Sequence, residues 1–327
     1  MRYAARLRAQ RGVTLVELMV AMAVGLIISL AAAVLYLTTQ DTARATRSFS
    51  DTNETGKLAL DIIGRELEKA GFYPAEFEAA TTAATVSEKQ VGQYANIKNP
   101  GAANSVAFDQ GLFGCSGAAF DPSSRVCPTE AAGAADSIVI NYFASREFGA
   151  NPVIGNTNDC NRKPITDDTD NTTRAAAGLP LMVSNRFALV QQSIQQPDGS
   201  TVVTHVLGCH GNGKESDTDY QPLLQGVEDL VLRYGVFPVG ATQSAAQFYE
   251  AKDVTSAGAA TWQRVSSVRV CIVVRSLENA RLEDKSGSER VKPNCRGSTT
   301  KLASNDRYIY KRFDQVFAVR NYLTGLQ

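Results

Sequence analysis

The sequence predicts an α+β chain, in which one long N-terminal helix packs its second half on an antiparallel β-sheet head with long loops. Three observations predict it. A nearly charge-free apolar tract opens the chain, a helical stripe continues it, and beyond Phe72 the pattern changes to short β-like runs separated by Gly, Asn, Asp and Pro. Over 327 residues, 44% apolar and 20% charged residues describe a soluble globule rather than a polytopic membrane protein, so the apolar tract is a single exception. Lys+Arg and Asp+Glu balance at 33 each, which leaves no basic domain to hold nucleic acid.

The first twelve residues carry Arg2, Arg6, Arg8 and Arg11 and no acid, a leader that stays in the cytoplasm by the positive-inside rule. From Val13 to Leu37 the only charge is Glu17, and the 20 residues from Leu18 to Leu37 have none, enough to span a bilayer as a helix. The head is therefore expected in the periplasm. The small residue suited to processing, Gly12, precedes the apolar run, unlike a secretory signal peptide, in which the cleavage site follows it.

The tract Arg11-Gly12-Val13-Thr14-Leu15-Val16-Glu17 resembles the class III signal of type IV prepilins and pseudopilins. That resemblance implies cleavage by a prepilin peptidase between Gly12 and Val13, N-methylation of Val13, and a registration role for Glu17 as the fifth mature residue. Val13 departs from the Phe or Met that most often begins mature chains of this kind. A carboxylate at the centre of a bilayer costs about 2.5–3.5 kcal/mol, so it calls for a partner. A neighbouring subunit's α-amino group ~4 Å away, at an effective dielectric of ~20, would supply about 4 kcal/mol of attraction. The plainer alternative is an acid in the first helical turn, favoured by the helix dipole by ~0.3–1 kcal/mol.

The helix is expected to run on from Val13 to Ala70, with residues 13–38 as its membrane or filament-core part and 39–70 as an amphipathic part. Gly56, Leu60, Ile63, Leu67 and Ala70 form one face, while Lys57, Asp61, Arg65 and Glu68 form a solvated one. Gly71 and Pro74 supply the stop. Gly25 is tolerated in a membrane helix, where it permits close packing.

Residues 71–327 form the head. Its clearest β-like runs are Ser105–Asp109, Ser137–Phe143, Phe187–Gln195, Thr201–Leu207, Val227–Val236, Val265–Arg275 and Gln315–Tyr322. Gln196-Pro197-Asp198-Gly199 reads as a hairpin turn. In Val268–Arg275 the even-numbered valines and isoleucine alternate with Arg269, Cys271, Val273 and Arg275, as in a half-buried strand, and Leu230, Leu232 and Tyr234 are expected to face the core. Tracts 74–104, 144–180 and 237–260 read as surface excursions.

Cys115, Cys127, Cys160, Cys209, Cys271 and Cys295 all fall in the part sent to an oxidising compartment, where an even count argues for disulfides. Six cysteines permit fifteen pairings. Pairing by neighbours, Cys115–Cys127, Cys160–Cys209 and Cys271–Cys295, would close three loop-rich excursions and add ~2–4 kcal/mol apiece. A competing zinc set would use His205, Cys209, His210 and Cys160, though no Cys-x-x-Cys is present. Asp167, Asp168, Asp170 and Asn171, or Glu215, Asp217 and Asp219, could chelate calcium, but neither group has EF-hand spacing. Trp262 with Tyr234 and Tyr249 reads as core more readily than as an adhesive surface. Gly208-Cys-His-Gly-Asn-Gly213 lacks the Lys and following apolar helix of a phosphate loop, and no nucleophile motif or catalytic carboxylate pair is evident, so neither an enzyme nor a cofactor is expected.

Several tracts resemble the PilW family of minor type IV pilins, related to the J-type minor pseudopilins of type II secretion. They are Arg65-Glu-Leu-Glu-Lys-Ala-Gly-Phe-Tyr73, Gly226-Val-Glu-Asp-Leu-Val-Leu-Arg-Tyr-Gly235, Trp262 leading into Val265–Ser276, and Val316-Phe-Ala-Val-Arg-Asn321. The resemblance implies a pilin-like fold and a subunit that primes pilus assembly in the inner membrane with other minor pilins. It further implies a place at or near the tip above the major pilin, a PilY-type adhesin as partner, and support for adhesion and twitching motility through an inner-membrane assembly platform. A minor pseudopilin is the alternative, although such heads are typically smaller than the 257 residues after Ala70. A membrane-anchored periplasmic binding module or enzyme is the alternative of another class. Loss of the four leader arginines leaves 29 basic against 33 acidic residues, formally −4, which weakens any direct DNA role.

Overall fold

The structure, a computed structural model, describes residues 14–72, 111–124, 126–144, 158–167, 171–172, 181–195, 199, 201–213, 219–237, 247–278, 290–303 and 306–321. The expected strand Ser105–Asp109 lies outside them.

Helix α1 spans Leu15–Lys69, 55 residues and roughly 82 Å at 1.5 Å per residue. Thr14 caps its start, and the chain turns away at Ala70 and Gly71, the latter with φ 73°. Gly71 N donates to Asn141 O (2.9 Å), and Phe143 N donates to Phe72 O (2.9 Å), so the helix exit is fastened to the head at once. From the other end of the sequence, the Asn321 side chain donates to the carbonyls of Glu68 (3.2 Å) and Ala70 (3.1 Å), satisfying acceptors that the last helical turn leaves open.

Among the described residues the head holds two antiparallel sheets and a two-stranded ribbon. In the first, β1 (Leu112–Cys115), β2 (Ser137–Phe143), β3 (Met182–Gln195), β4 (Thr201–His210) and β5 (Gln221–Gln225) follow chain order. In the second, β6 (Val227–Val236), β7 (Gln247–Tyr249), β8 (Val265–Arg275) and β11 (Tyr310–Ala318) lie in the order β11-β8-β6-β7. A ribbon of β9 (Val291–Pro293) and β10 (Thr299–Lys301), two short helices, α2 (Ala251–Ser256) and α3 (Ala259–Trp262), and a 3-10 turn at Ile165–Asp167 complete the described elements.

Two residues join the sheets. Gly226, at φ 80°, turns the chain from β5 into β6; its N–H donates to His205 O (3.1 Å) and its carbonyl accepts from Arg275 N (2.7 Å). A Cβ there would lie 2.7 Å from Arg275 O, so the corner requires glycine. Strand β7 pairs only Tyr234–Val236, which leaves the outer edge of β6 open further along. Asp136, buried just before β2, fills that gap: its N–H donates to Leu230 O and its Oδ2 accepts from Leu232 N, both at 2.8 Å. Burial raises the Asp136 carboxyl's pKa from its ordinary value, despite these hydrogen bonds and nearby Arg296 and Arg233.

The second half of α1 buries Ser48, Thr52, Gly56, Ala59, Leu60, Ile63, Gly64 and Leu67. Gly56 and Gly64 are eight residues apart, roughly 12 Å of helix, and Phe313 and Phe317 are four apart, roughly 13 Å of strand. The two spacings match, so each ring of β11 sits over one glycine. A Cβ at either position would lie 2.2 Å from the ring it faces.

Several expectations are corrected by this packing. Strand β11 runs Tyr310–Ala318 rather than Gln315–Tyr322, because its two phenylalanines pair with the helix while Asn321 is drawn off to cap it. β6 and β8 are buried on both faces: Cys271, at 4% exposure, and Val273, at 0%, are covered where the Cys271–Cys295 bridge holds the 290–303 segment against the sheet. Tract 237–260 is not all excursion, since it contains β7 and α2, whose Ala251 and Val254 are buried.

Candidate functional site

Cleavage residues Gly12 and Val13 lie outside the described residues, so the site begins at Thr14. Thr14 and Glu17 form a complete capping box. Glu17 N donates to Thr14 Oγ1 (3.3 Å), while Thr14 N and Oγ1 both donate to Glu17 Oε2, at 2.9 and 3.0 Å. In the single chain, then, the carboxylate expected to register subunits is held at the helix start by its own cap. Every residue from Thr14 to Gln40 is exposed. The helix is long and apolar enough to cross a membrane. Hydroxyl groups of Ser29, Thr38 and Thr39 in this half, and of Thr42 and Thr46 just beyond it, each donate to the carbonyl four residues back, so these hydroxyls are satisfied by the helix itself.

The six cysteines pair as Cys115–Cys127, Cys160–Cys209 and Cys271–Cys295, with Cα–Cα distances of 5.5, 6.4 and 5.7 Å. The zinc set is overturned by that pairing. Cys160 and Cys209 are bonded to each other, and His205 and His210, five apart on β4, project to opposite faces. His205 Nδ1 lies 3.3 Å from Glu228 Oε2, and His210 Nδ1 accepts from Arg186 at 2.9 Å. Burial, with Arg186 beside it, pushes His210 down to about 4, so its ring is neutral at neutral pH. Glu228 also faces Arg275 (3.4 Å) and Lys292 (3.5 Å). Burial alone would raise its pKa, but the His205 hydrogen bond and the two cations outweigh it and hold the carboxyl at about 2.

Of the calcium candidates, Asn171 is occupied structurally: its side-chain amide donates to Ile165 O and Met182 O and accepts from Met182 N. Asp168, Asp170, Glu215 and Asp217 lie outside the described residues. Trp262 is fully buried, its ring 5.1 Å from Phe113 and 4.8 Å from Tyr234, which places it in the core, whereas Tyr249 is exposed on β7. Asn321 and Asp136 are the structural anchors that sequence reading passed over. Neither carries a periodic signal, because each acts through a few polar contacts with a distant segment.

Comparison with known proteins adds two matches to this geometry. Residues 190–321, the second half of the head, match the family described as type IV pilus-assembly protein W, and residues 7–33 match the prokaryotic N-terminal methylation motif. No curated relative matches the chain. A type IV-like pilin from Thermus thermophilus is similar at 13% identity, covering 83% of this chain and 97% of its own, with a TM-score of 0.34. A methylation motif opening an exposed apolar helix fits a membrane-anchored pilin. With the PilW match on the head that this helix carries, the chain is similar to PilW-type minor pilins over the second half of its head and to type IV prepilins at its N-terminus.

Proposed function

We propose that this chain is a minor pilin that primes type IV pilus assembly and then resides at or near the filament tip. In this reading the prepilin peptidase cuts between Gly12 and Val13, Val13 is methylated, and the chain waits in the inner membrane with its head in the periplasm. Other minor pilins join it there, the assembly platform adds the major pilin beneath, and a PilY-type adhesin is carried above, which supports motility and adhesion. Its role is structural rather than catalytic, and the domain division follows from it: leader 1–12, filament core 13–38, coupling segment 39–70 and head 71–327.

The observation that carries the reading is the unlike burial of one continuous helix. Its first half, Thr14 to Gln40, is wholly exposed and, apart from Glu17 and five uncharged polar residues, apolar, while its second half is locked to the head. Such a surface must be covered by lipid or by like helices, and a subunit that passes from one to the other needs no change in its head. Glu17 is the group that would change partner in that transfer, leaving its Thr14 cap for a neighbour's α-amino group.

Deleting the gene tests this reading. Surface piliation should fall to near zero and return on complementation. Wild-type piliation with a defect in protein secretion instead would favour the pseudopilin alternative and overturn the proposal. In the complemented strain, Glu17→Ala should leave membrane insertion intact but deplete the subunit from sheared filaments; undiminished incorporation would remove Glu17 from the mechanism.

A further inference from the structure

The structure assigns a docking groove for an acidic, extended segment of a partner protein to the face of the head beside the end of α1. The groove encloses about 990 Å³ between the last turns of α1, the Asn158–Pro164 hairpin and strand β5. Arg65, Lys69, Arg162, Lys163 and Arg320 line it, against the carboxylates of Glu66 and Glu68. Glu66 is already engaged: one oxygen pairs with Lys69 (2.7 Å) and the other accepts from Asn185 Nδ2 (2.8 Å). Arg162 and Arg320 are exposed and have no carboxylate partner among the described residues. Arg65 is likewise engaged, paired with Asp61 (2.7 Å), so the groove's excess positive charge rests on Arg162 and Arg320, in a chain whose overall balance is neutral.

Its walls are fixed before any partner arrives. Cys160 is bonded to Cys209 on β4, and Cys160 N donates to Asn185 Oδ1 (3.0 Å). Asp159 accepts from Asn161 N, Lys163 N and Gly213 N at 2.8–2.9 Å, which closes the hairpin and holds it to the sheet. At its apex Arg162 has φ 60°, the only positive φ on a non-glycine residue among the described residues. A left-handed apex ordinarily favours glycine or asparagine, so an arginine here spends backbone comfort to place a guanidinium on the rim. Preorganised walls lower the cost of ordering the interface on binding.

The opposite wall explains why the occupant is a peptide. Strand β5 is the last strand of its sheet, and among the described residues nothing pairs with its outer edge. Gln221, Pro222 and Leu223 are exposed there, so backbone hydrogen-bonding groups and an apolar side chain lie beside the cations. An extended chain can add to that edge while its carboxylates reach across to Arg162 and Arg320. Among the described residues the groove offers nucleic acid no exposed aromatic platform, since the one aromatic ring that lines it, Phe187, is fully buried.

The assignment uses only the head and the last turns of α1, not the exposed first half of the helix, so its failure leaves the priming reading untouched. The full chain in detergent micelles would be titrated into a fluorescein-labelled nonapeptide of alternating Val and Glu and followed by anisotropy. Saturable binding is expected, weakened at high salt, with a Val/Lys nonapeptide at least ~10-fold weaker. The double variant Arg162→Gly, Arg320→Ala should weaken binding by about 10-fold, with melting temperature unchanged or higher because glycine suits the Arg162 backbone. Equal binding of the acidic peptide by the variant, equal binding of the basic peptide, or tighter binding of a ten-nucleotide oligothymidine would each overturn the assignment.

Discussion

The two halves of α1 share one backbone and differ in what completes them. From Thr14 to Gln40 every side chain is exposed, and Gly25 has nothing within 4 Å of where a Cβ would be. From Ser48 to Leu67 a narrow stripe is buried, and Gly56 and Gly64 lie under the rings of Phe313 and Phe317. The same residue type is thus open space in one half and an indispensable gap in the other. The head completes its own half of the helix within the chain; the first half has no cover among the described residues, and in the proposed function lipid and neighbouring subunits supply it. A subunit divided in this way can exchange its surroundings without disturbing its fold.

The contrast is broken most severely from the head side. Trp262→Ala should empty the space between Phe113 and Tyr234 at a cost of about 3–5 kcal/mol, lowering the head's melting temperature by roughly 10 °C in thermal circular dichroism of the micelle-bound chain. Gly64→Val tests the helix–head seam directly and should cost about 1–3 kcal/mol by driving Phe317 off the helix. Gly25→Ala in the same assay should leave the head's transition where it was. A melting temperature lowered equally by both glycine variants would contradict the division of the helix.

Acid sharpens the comparison further, because the head has buried titrating groups, His210, Glu228 and Asp136, of a kind the exposed half lacks. His210, held at about 4 against an ordinary 6.5, is neutral in the folded head and takes up a proton more readily when unfolded. Its contribution is therefore present above pH 6.5 and is lost as pH falls toward 4. Glu228, held at about 2 against 4.5, adds stability that is present above pH 4.5 and lost as pH falls toward 2. Asp136, raised by burial, works in the opposite sense. His210→Asn should flatten the decline between pH 6.5 and 4 in melting curves while leaving the one below 4.5; an unchanged decline would remove His210 as its source.

The burial pattern of α1 was legible in the sequence because a 3.6-residue stripe needs only a face, not a named partner. Gly56, Leu60, Ile63 and Leu67 are all buried, as the stripe required, and Ser137–Phe143, Val227–Val236 and Val265–Arg275 are strands with those bounds. Gly64 was missed because nothing local shows that a ring from β11 will press on it. β1, β5 and β7, at 4, 5 and 3 residues, hold too few alternations to register as strands. The double burial of β6 and β8 was hidden for a related reason: periodicity reports a side chain's face, and the cover on the second face comes from a segment fastened by Cys271–Cys295. The capping box was present as Thr14 and Glu17 at the right spacing, yet the prepilin resemblance drew attention to Glu17 alone.

The central claim is that this chain is processed and then built into a filament through its exposed helix. Intact-mass spectrometry of the subunit recovered from sheared pili tests it most directly. The account predicts a chain beginning at a methylated Val13, with three disulfides and a minor stoichiometry against the major pilin. A chain found only in the membrane fraction with its twelve-residue leader still attached would contradict it.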